Sequence, residues 1–303
     1  MRRWILPTTL VVACLAAASA QAAQFSPWGG AVKIDEISGA HPDLNTMALD
    51  GCPIESPDGR DLYMASNRGG GQGLLDIWVA HRDATDEPYG APENLGPAIN
   101  SAADDFCPTP VHGGGLFFVS RRATPGACGM GDIFFTRRHP VRGWTEPQRL
   151  ACAPEGPNGA LDEQGPSLSG SELYFSRSAS GVPGDIFVSR ELRDGEFGPA
   201  EAVAELNAGG AANDIQPNLR KDGREVVFSS NRTDPAGKGG QDVYTATRRD
   251  RNSAWSEPVN VTGVNTAAAE TRPSLSWHAD RLLFGRAPGP EGMSDIYLAE
   301  RER

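Results

Sequence analysis

The sequence predicts an all-β protein folded as a five-bladed β-propeller with four strands in each blade. A pattern of about 51–58 residues recurs five times in the chain of 303 residues, and self-similarity at this spacing is typical of propellers and solenoids. Each repeat holds several short strand-like runs separated by turns rich in Gly and Pro, which number 36 and 24. The last repeat stops at Arg303 after three strands, and a strand-like stretch near the N-terminus is left over to complete it.

Each repeat begins with the same arrangement of residues. An acidic residue stands three positions before a proline, and an aspartate followed by Ile or Val and an aromatic residue comes later. The acids are Asp50, Asp105, Glu163, Asp214 and Glu270, and the prolines are Pro53, Pro108, Pro166, Pro217 and Pro273. The later aspartates are Asp76, Asp132, Asp185, Asp242 and Asp295.

Within a repeat, the innermost strand runs through the proline to a tight turn, as at Asp58-Gly59 and Asp222-Gly223. The second strand alternates in hydrophobicity, and the third begins at the later aspartate. The fourth starts at an aromatic residue, and these residues are Tyr89, Trp144, Phe197 and Trp255, with Trp28 as a fifth. We therefore expect the N-terminal strand to complete the last blade and close the ring, which removes unpaired strand edges.

Residues 1–23 have the pattern of a signal peptide, with Arg2 and Arg3 before a short apolar stretch and small residues near Ala22. The alternative is a lipid anchor at Cys14. Residues 24–303 would then form a single propeller domain, periplasmic or secreted, without a transmembrane segment. The formal charge of −11 argues against nucleic acid or an anionic membrane as a partner.

Four cysteines of the exported part favour disulfides, because such bonds persist in oxidising compartments. Cys52 and Cys107 each directly precede the inner-strand proline of neighbouring blades, whereas Cys128 and Cys152 flank the third strand of blade two. Four cysteines allow three pairings, and from these positions we expect Cys52–Cys107 and Cys128–Cys152. A four-cysteine zinc site would require paired short spacings that are absent from the sequence.

The five inner-strand acids allow a catalytic and a structural interpretation. Glycoside hydrolases on five-bladed propellers place carboxylates at such strand ends, one acting as acid and one as base or nucleophile. Catalysis, however, requires carboxylates in different environments that perform different tasks. A residue that recurs in every blade is better explained by a structural role that every blade shares. The structural interpretation is that each acid caps turn amides or pairs with the arginine near the end of the second strand: Arg68, Arg122, Arg177, Arg232 or Arg286.

The aspartate that opens each third strand follows a glycine-bearing loop and is expected to bond the loop amides. The alternative is a calcium site of carboxylate and carbonyl oxygens, although no Asp-x-Asp-x-Asp-Gly run is present. We expect no other cofactor and no metal, because the histidines show no ligand spacing. Trp78 and Trp277 depart from the repeat and are candidates either for packing or for stacking on a sugar.

The repeat resembles the WD40-like repeat of TolB-type periplasmic propellers. It also resembles the repeats of propellers that are found beside OmpA-like domains in some bacterial envelope proteins. The matching segments are SPDGRDLYMASNRGGG with LLDIWVA in blade one, the connector ENLGPAIN, and KDGREVVFSSNR with GGQDVYTA in blade four. The resemblance covers nearly all of residues 25–303 and implies a propeller that holds partners in the envelope.

We expect from this a non-enzymatic exported module that binds an envelope protein or glycan through its rim loops. The residues predicted for the binding face are Asp50, Asp104, Asp105, Glu163, Asp214 and Glu270, with Arg68 and Arg232. No catalytic residue is assigned. The alternative is a carbohydrate-active propeller, a lectin or a glycoside hydrolase, that uses the same carboxylates.

Overall fold

A computed structural model describes residues 25–193, 195–233 and 237–303, and its fold is the predicted five-bladed propeller. Two short 3₁₀ helices, Ile34–Glu36 and Pro42–Leu44, precede the first blade. The strands in chain order are β1 (Val32–Lys33), β2 (Asp50–Glu55), β3 (Asp61–Ser66), β4 (Asp76–His81), β5 (Glu93–Asn94), β6 (Asp105–Val111), β7 (Gly115–Ser120), β8 (Asp132–His139), β9 (Gly143–Trp144), β10 (Gln148–Arg149), β11 (Asp162–Ser169), β12 (Glu172–Ala179), β13 (Val182–Arg193), β14 (Glu196–Ala202), β15 (Asp214–Leu219), β16 (Glu225–Ser230), β17 (Asp242–Thr247), β18 (Val259–Asn260), β19 (Ala269–Leu275), β20 (Arg281–Ala287) and β21 (Asp295–Glu300).

The blades are antiparallel meanders whose strands pair in chain order from the innermost outward. Blade one is β2–β5, blade two β6–β10, blade three β11–β14 and blade four β15–β18. In blade two, β8 pairs with both β9 and β10 along different parts of its length. The predicted four-strand repeat is thus confirmed, with outermost strands as short as two residues.

The fifth blade consists of β19, β20 and β21 and takes its outermost strand from the N-terminus. Val32 pairs with Leu298 and Lys33 with Tyr297, so β1 lies antiparallel to β21. Trp28 and Phe25 pack beside this seam, each with the Arg301 guanidinium over its ring. Ring closure by the N-terminal strand is therefore confirmed.

The core lies between blades, because each sheet presents apolar side chains to its neighbours on both faces. The cluster between blades three and four shows the pattern: Trp255 packs edge-on against Tyr174, with ring centroids 6.2 Å apart. The other aromatic residues that open a fourth strand also join these clusters. These aromatic residues therefore serve as packing contacts between blades.

The two faces of the ring differ in the segments that form them. We call the face at the start of the innermost strands, where the five inner-strand acids lie, the acid face. The opposite face, formed by the hairpins between the first and second strands (residues 56–60, 112–114, 170–171, 220–224 and 276–280), is the turn face. No helix in the described ranges is long and apolar enough to cross a membrane.

Candidate functional site

Every inner-strand acid is buried on the acid face and forms an ion pair with an arginine of its own blade. The solvent-exposed fraction is 0% for each of the five acids. The pairs are Asp50–Arg68, Asp105–Arg122, Glu163–Arg177, Asp214–Arg232 and Glu270–Arg286, with N–O distances of 2.5, 2.7, 2.7, 2.6 and 2.8 Å. These ion pairs agree with the structural interpretation of the repeated acids.

The position of the paired arginine depends on whether the inner-strand acid is an aspartate or a glutamate. Asp50 faces Ser66 across the β2–β3 ladder, and the arginine that reaches it comes two residues after the serine. Glu163 and Glu270 lie directly opposite Arg177 and Arg286 and bond their Nε atoms. The longer side chain thus takes the arginine directly across the ladder, whereas an aspartate takes it from beyond the strand end.

The same acids also hold the loop that enters each blade. Asp50 Oδ2 accepts hydrogen bonds from the Thr46 main-chain N and Oγ1, at 2.6 and 2.8 Å. Ser101 bonds Asp105 in the same way. Because these carboxylates are charged, desolvated and fully bonded, they act as structural ion pairs of the blade.

Glu163 is the exception within this set. Its Oε1 accepts from the Gly159 main-chain N and from Arg177 Nε, but glycine offers no hydroxyl, and Oε2 is buried without a partner among the described residues. Burial raises the pKa of Glu163 to about 7. A raised pKa suits a general acid, yet the fully buried side chain is not reachable by a substrate in this conformation.

Asp104, the extra acid of blade two, lies nearer the surface and binds a different arginine. Arg121 bridges Asp104 at 2.9 Å and Asp162 of blade three at 2.5 Å, and these bonds raise the pKa of Arg121. Of the residues predicted for the binding face, Asp104 therefore lies in a surface network, whereas the other acids lie beneath the surface. The binding role assigned to all of them stays a prediction.

A set of asparagines that the sequence analysis missed completes each blade. Their side chains bond both the main-chain N and O of the residue after the third-strand aspartate, as Asn100 does with Ile77 at 2.9 and 3.0 Å. Asn45, Asn158 and Asn265 clamp Ile296, Ile133 and Val243 in the same way, and Asn207 clamps Ile186. The sequence contained a signal for this clamp. An asparagine stands five residues before the acid of blades one, two, three and five, and seven residues before the acid of blade four.

The third-strand aspartates mainly close their own loops. Asp76 accepts bonds from the main-chain N atoms of Gln72 and Gly73 and from Asn94, and Asp242 repeats this pattern. Asp132 also bonds two loop amides. Burial raises the pKa of Asp185 and of Asp295. Within the described ranges, no three or more His, Cys, Asp or Glu side chains converge as metal ligands.

Both predicted disulfides are present. Cys52–Cys107 joins the innermost strands of blades one and two, and Cys128–Cys152 joins the loop before β8 to the connector that leaves blade two. Disulfides are consistent with a protein of the periplasm or the extracellular space. The signal-peptide residues and Cys14 lie outside the described residues.

Around the axis, the innermost strands share a bulge two residues after each acid. The bulge residues all have a left-handed backbone, with φ between 49° and 57°, and they are Cys52, Cys107, Gly165, Gln216 and Arg272. The channel that these residues and the prolines line has a volume of about 30 Å³. It is therefore nearly closed, with room for water-sized species rather than for a sugar ring.

Two clefts lie on the turn face at the seam between blades five and one. The two adjoining clefts, of about 470 and 770 Å³, share Glu55 and Arg281 in their walls. Trp277 borders the larger cleft and packs edge-on against His112, with Lys221 Nζ 5.2 Å from its ring centroid. Trp78 is buried in the core, so of the two tryptophans only Trp277 borders an open cleft.

Comparison with known proteins supports the fold and does not define a family. No protein-family model and no curated protein matches the sequence. An α-L-arabinofuranosidase of Podospora anserina, solved with cellotriose, aligns with a TM-score of 0.56 at 11% identity over 91% of this chain and 97% of that one. The catalytic domain of a family GH62 α-L-arabinofuranosidase of Coprinopsis cinerea gives 0.52 at 12% identity, over 91% and 96%.

TolB from Acinetobacter baumannii is also among the similar structures, with a TM-score of 0.45 and 14% identity over 83% of this chain and 54% of that chain. At these identities the comparisons show a shared five-bladed propeller fold. The expected propeller is thus confirmed, whereas the TolB-type relationship remains a prediction.

Proposed function

We propose that this chain is a non-catalytic, exported propeller that binds a protein partner of the bacterial envelope through its acid face. The observation that carries the proposal is the state of the inner-strand acids, which stand where a propeller hydrolase would hold its catalytic carboxylates. All five are buried and paired with arginines. A hydrolase would need two carboxylates that reach one glycosidic bond and differ in protonation.

The loops of the acid face support a protein partner. A large exposed apolar residue precedes the third-strand aspartate by two or three positions in four blades, and these residues are Leu74, Met130, Val182 and Met293. Met47 stands out on the same face, 85% exposed, with its backbone against Gly292. Methionine is enriched at protein interfaces, where its flexible thioether adapts to a partner.

The experiment is site-specific photo-crosslinking of the exported protein in its native envelope. A crosslinking amino acid at position 74 or 293 probes the acid face, and one at Val141, an exposed residue of an outer hairpin on the turn face, is the matched control. We expect one discrete adduct from positions 74 and 293 and none from 141. A purified adduct partner must then bind the purified propeller, and lose affinity with Leu74→Asp and Met293→Asp together.

The carbohydrate-active alternative has its own observation, the turn-face cleft beside Trp277 with the carboxylates of Asp58 and Glu55 in its wall. It predicts a saturable rise in melting temperature with an oligosaccharide, abolished by Trp277→Ala. Hydrolysis of aryl arabinofuranosides or of polysaccharide by the purified protein, lost in Glu55→Gln or Asp58→Asn, would overturn the non-catalytic proposal.

A further inference from the structure

One arginine near the axis of the ring has no carboxylate partner within the described ranges. Arg272 is the bulge residue of blade five, and its Nη1 is buried with no hydrogen-bond partner among the described residues. Its main-chain N is bonded to Gln216 Oε1 and Ser229 Oγ, both at 3.1 Å, so the backbone is fixed while the guanidinium is not neutralised. A buried, unpaired cation is costly, which makes its presence informative.

The backbone does not require arginine at this position. All five bulges have a left-handed φ, which favours glycine, and blade three uses Gly165 there. Arg272 therefore combines a backbone cost with a desolvation cost in a bulge that other residues fill in the other blades. Side chains held in this way cluster at ligand sites, where the ligand supplies the missing interaction.

A second arginine, Arg121, lies close to Arg272. Arg121 and Arg272 lie over the same Phe106 ring, with guanidinium carbons 5.1 and 5.9 Å from its centroid. Burial, and secondarily the charge of Arg121, lower the pKa of Arg272 to about 10, so it remains a cation at neutral pH. Arg272 is partly exposed as a residue and lines the axial channel, whereas its Nη1 atom is buried.

The charge balance at this mouth indicates the class of anion. Arg121 carries one positive charge and its partners Asp104 and Asp162 carry two negative ones, so these three side chains and Arg272 together have no net charge. Among the described residues, Arg272 is the member of this cluster without a bonded carboxylate. A dianion such as phosphate would meet repulsion from these two carboxylates. A carboxylate carries one charge and matches the planar fork of a guanidinium.

We propose that Arg272 is the centre of a carboxylate-binding site at the acid-face mouth of the propeller axis. The ligand is a carboxylate of a free organic acid or of a bound peptide. The site goes beyond the proposed function, because a free carboxylate would bind there whether or not the acid face also binds a protein.

The test compares the mature protein with Arg272→Gln, which copies Gln216 of blade four and leaves no acid unpaired. Sodium acetate is titrated against sodium chloride at constant ionic strength, and binding is followed by melting temperature and by NMR of arginine Nε–H groups. At tenfold excess over the dissociation constant, we expect acetate to raise the melting temperature by about 2 °C or more in the natural sequence and not in Arg272→Gln. Arg249→Gln, which removes an 86% exposed arginine side chain on the turn face, is the charge-matched control and should respond like the natural sequence.

Arg272→Gly, which copies Gly165 of blade three, provides a second variant with a backbone suited to the bulge. A peptide with a free C-terminal carboxylate and its amidated form separate the two sources: tighter binding of the free acid identifies a peptide carboxylate, and binding of acetate alone identifies a free organic acid. Equal acetate responses in the natural sequence and in Arg272→Gln, or stronger stabilisation by phosphate than by acetate, would overturn the proposal. An acid-face crosslink with no acetate response would leave the proposed function standing and reject only this site.

Discussion

The carboxylate at the start of each innermost strand pairs with an arginine of its own blade. The surrounding residues determine whether both of its oxygens accept hydrogen bonds. In blade five, Glu270 accepts bonds from Thr266 N, Thr266 Oγ1 and Arg286 Nε, so both oxygens are engaged. In blade three, Gly159 stands where Thr266 stands in blade five, and one oxygen of Glu163 has no donor in the described part of the chain. One missing hydroxyl thus separates two otherwise equivalent glutamates.

This difference predicts a pH dependence of stability. The pKa of Glu163 rises from 4.5 in the unfolded chain to about 7 in the fold, so the folded state binds the proton more tightly. The contribution of Glu163 to stability is therefore fully present below about pH 4.5 and is lost as pH rises from about 4.5 to about 7, by about 3 kcal/mol. Because glutamine stays neutral, Glu163→Gln should equal the natural sequence near pH 5 and be more stable near pH 8, in urea unfolding at both pH values.

Glu270→Gln is the matched control for this prediction. It removes a charge whose oxygens are both bonded, so it should lose about 1–3 kcal/mol near pH 8. Equal losses in the two variants near pH 8 would show that Glu163 is an ordinary ionised partner of Arg177.

At the scale of the element, the loops before the third strands are closed by their own aspartates. Asp76 engages two loop amides and Asn94, whereas Asp185 follows a tight hairpin and is partly exposed. We expect Asp76→Ala to cost about 1–3 kcal/mol and Asp185→Ala to cost less than about 0.5 kcal/mol, in chemical unfolding.

The same contacts predict the response to calcium. Because the Asp76 and Asp242 carboxylates already accept protein donors, exchanging EDTA for millimolar calcium should move the melting temperature by less than about 1 °C. A saturable rise that Asp76→Ala or Asp242→Ala abolishes would instead identify a calcium site in these loops.

The two disulfides differ in burial and in the length of chain that they close. Cys52 and Cys107 are buried and lie 55 residues apart, whereas Cys128 and Cys152 are partly exposed and lie 24 apart. Loop-closure entropy gives losses of about 4 kcal/mol for Cys52→Ala with Cys107→Ala and about 3 kcal/mol for the other pair. Under native conditions, dithiothreitol followed by alkylation and mass spectrometry should label Cys128 and Cys152 first; earlier labelling of Cys52 would contradict this order.

At the scale of the whole molecule, a two-residue strand closes the ring. The Trp28 and Phe25 rings also stack against the Arg301 guanidinium, whose Cζ atom lies 4.2 Å from the centroid of the Trp28 ring. Without this seam, the outer edge of β21 would be unpaired, and blade five would lose its contacts with the N-terminal segment. The closed ring should therefore unfold in a single transition, with calorimetric and van't Hoff enthalpies that agree.

Trp28→Ala should destabilise the ring by about 2–3 kcal/mol, because apolar burial and a cation–π contact are both lost. Deletion of residues 25–33 should split the calorimetric transition and promote aggregation. Val32→Thr changes an exposed side chain of the same strand and should cost less than about 0.5 kcal/mol. A single transition of unchanged midpoint in the deletion would show that the seam contributes nothing.

The sequence alone determined the blade count, the strand order and the ring closure, and among three possible disulfide pairings it favoured the one that the structure shows. These features follow from residues that recur with the repeat, and a feature present in every blade is readable by superposing the repeats. The asparagine clamps, such as that of Asn100, were readable in the same way but were missed because their spacing from the acid was not compared.

Only the tertiary structure decided which members of the repeat depart from it. The missing donor at Glu163, the unpaired guanidinium of Arg272 and the exposed apolar residues of the acid face depend on side chains from different blades or on which atoms reach solvent. Local sequence specifies a blade because its hydrogen bonds are internal to the repeat. It does not specify the axis and the faces, because five non-identical repeats meet there and burial depends on all of them.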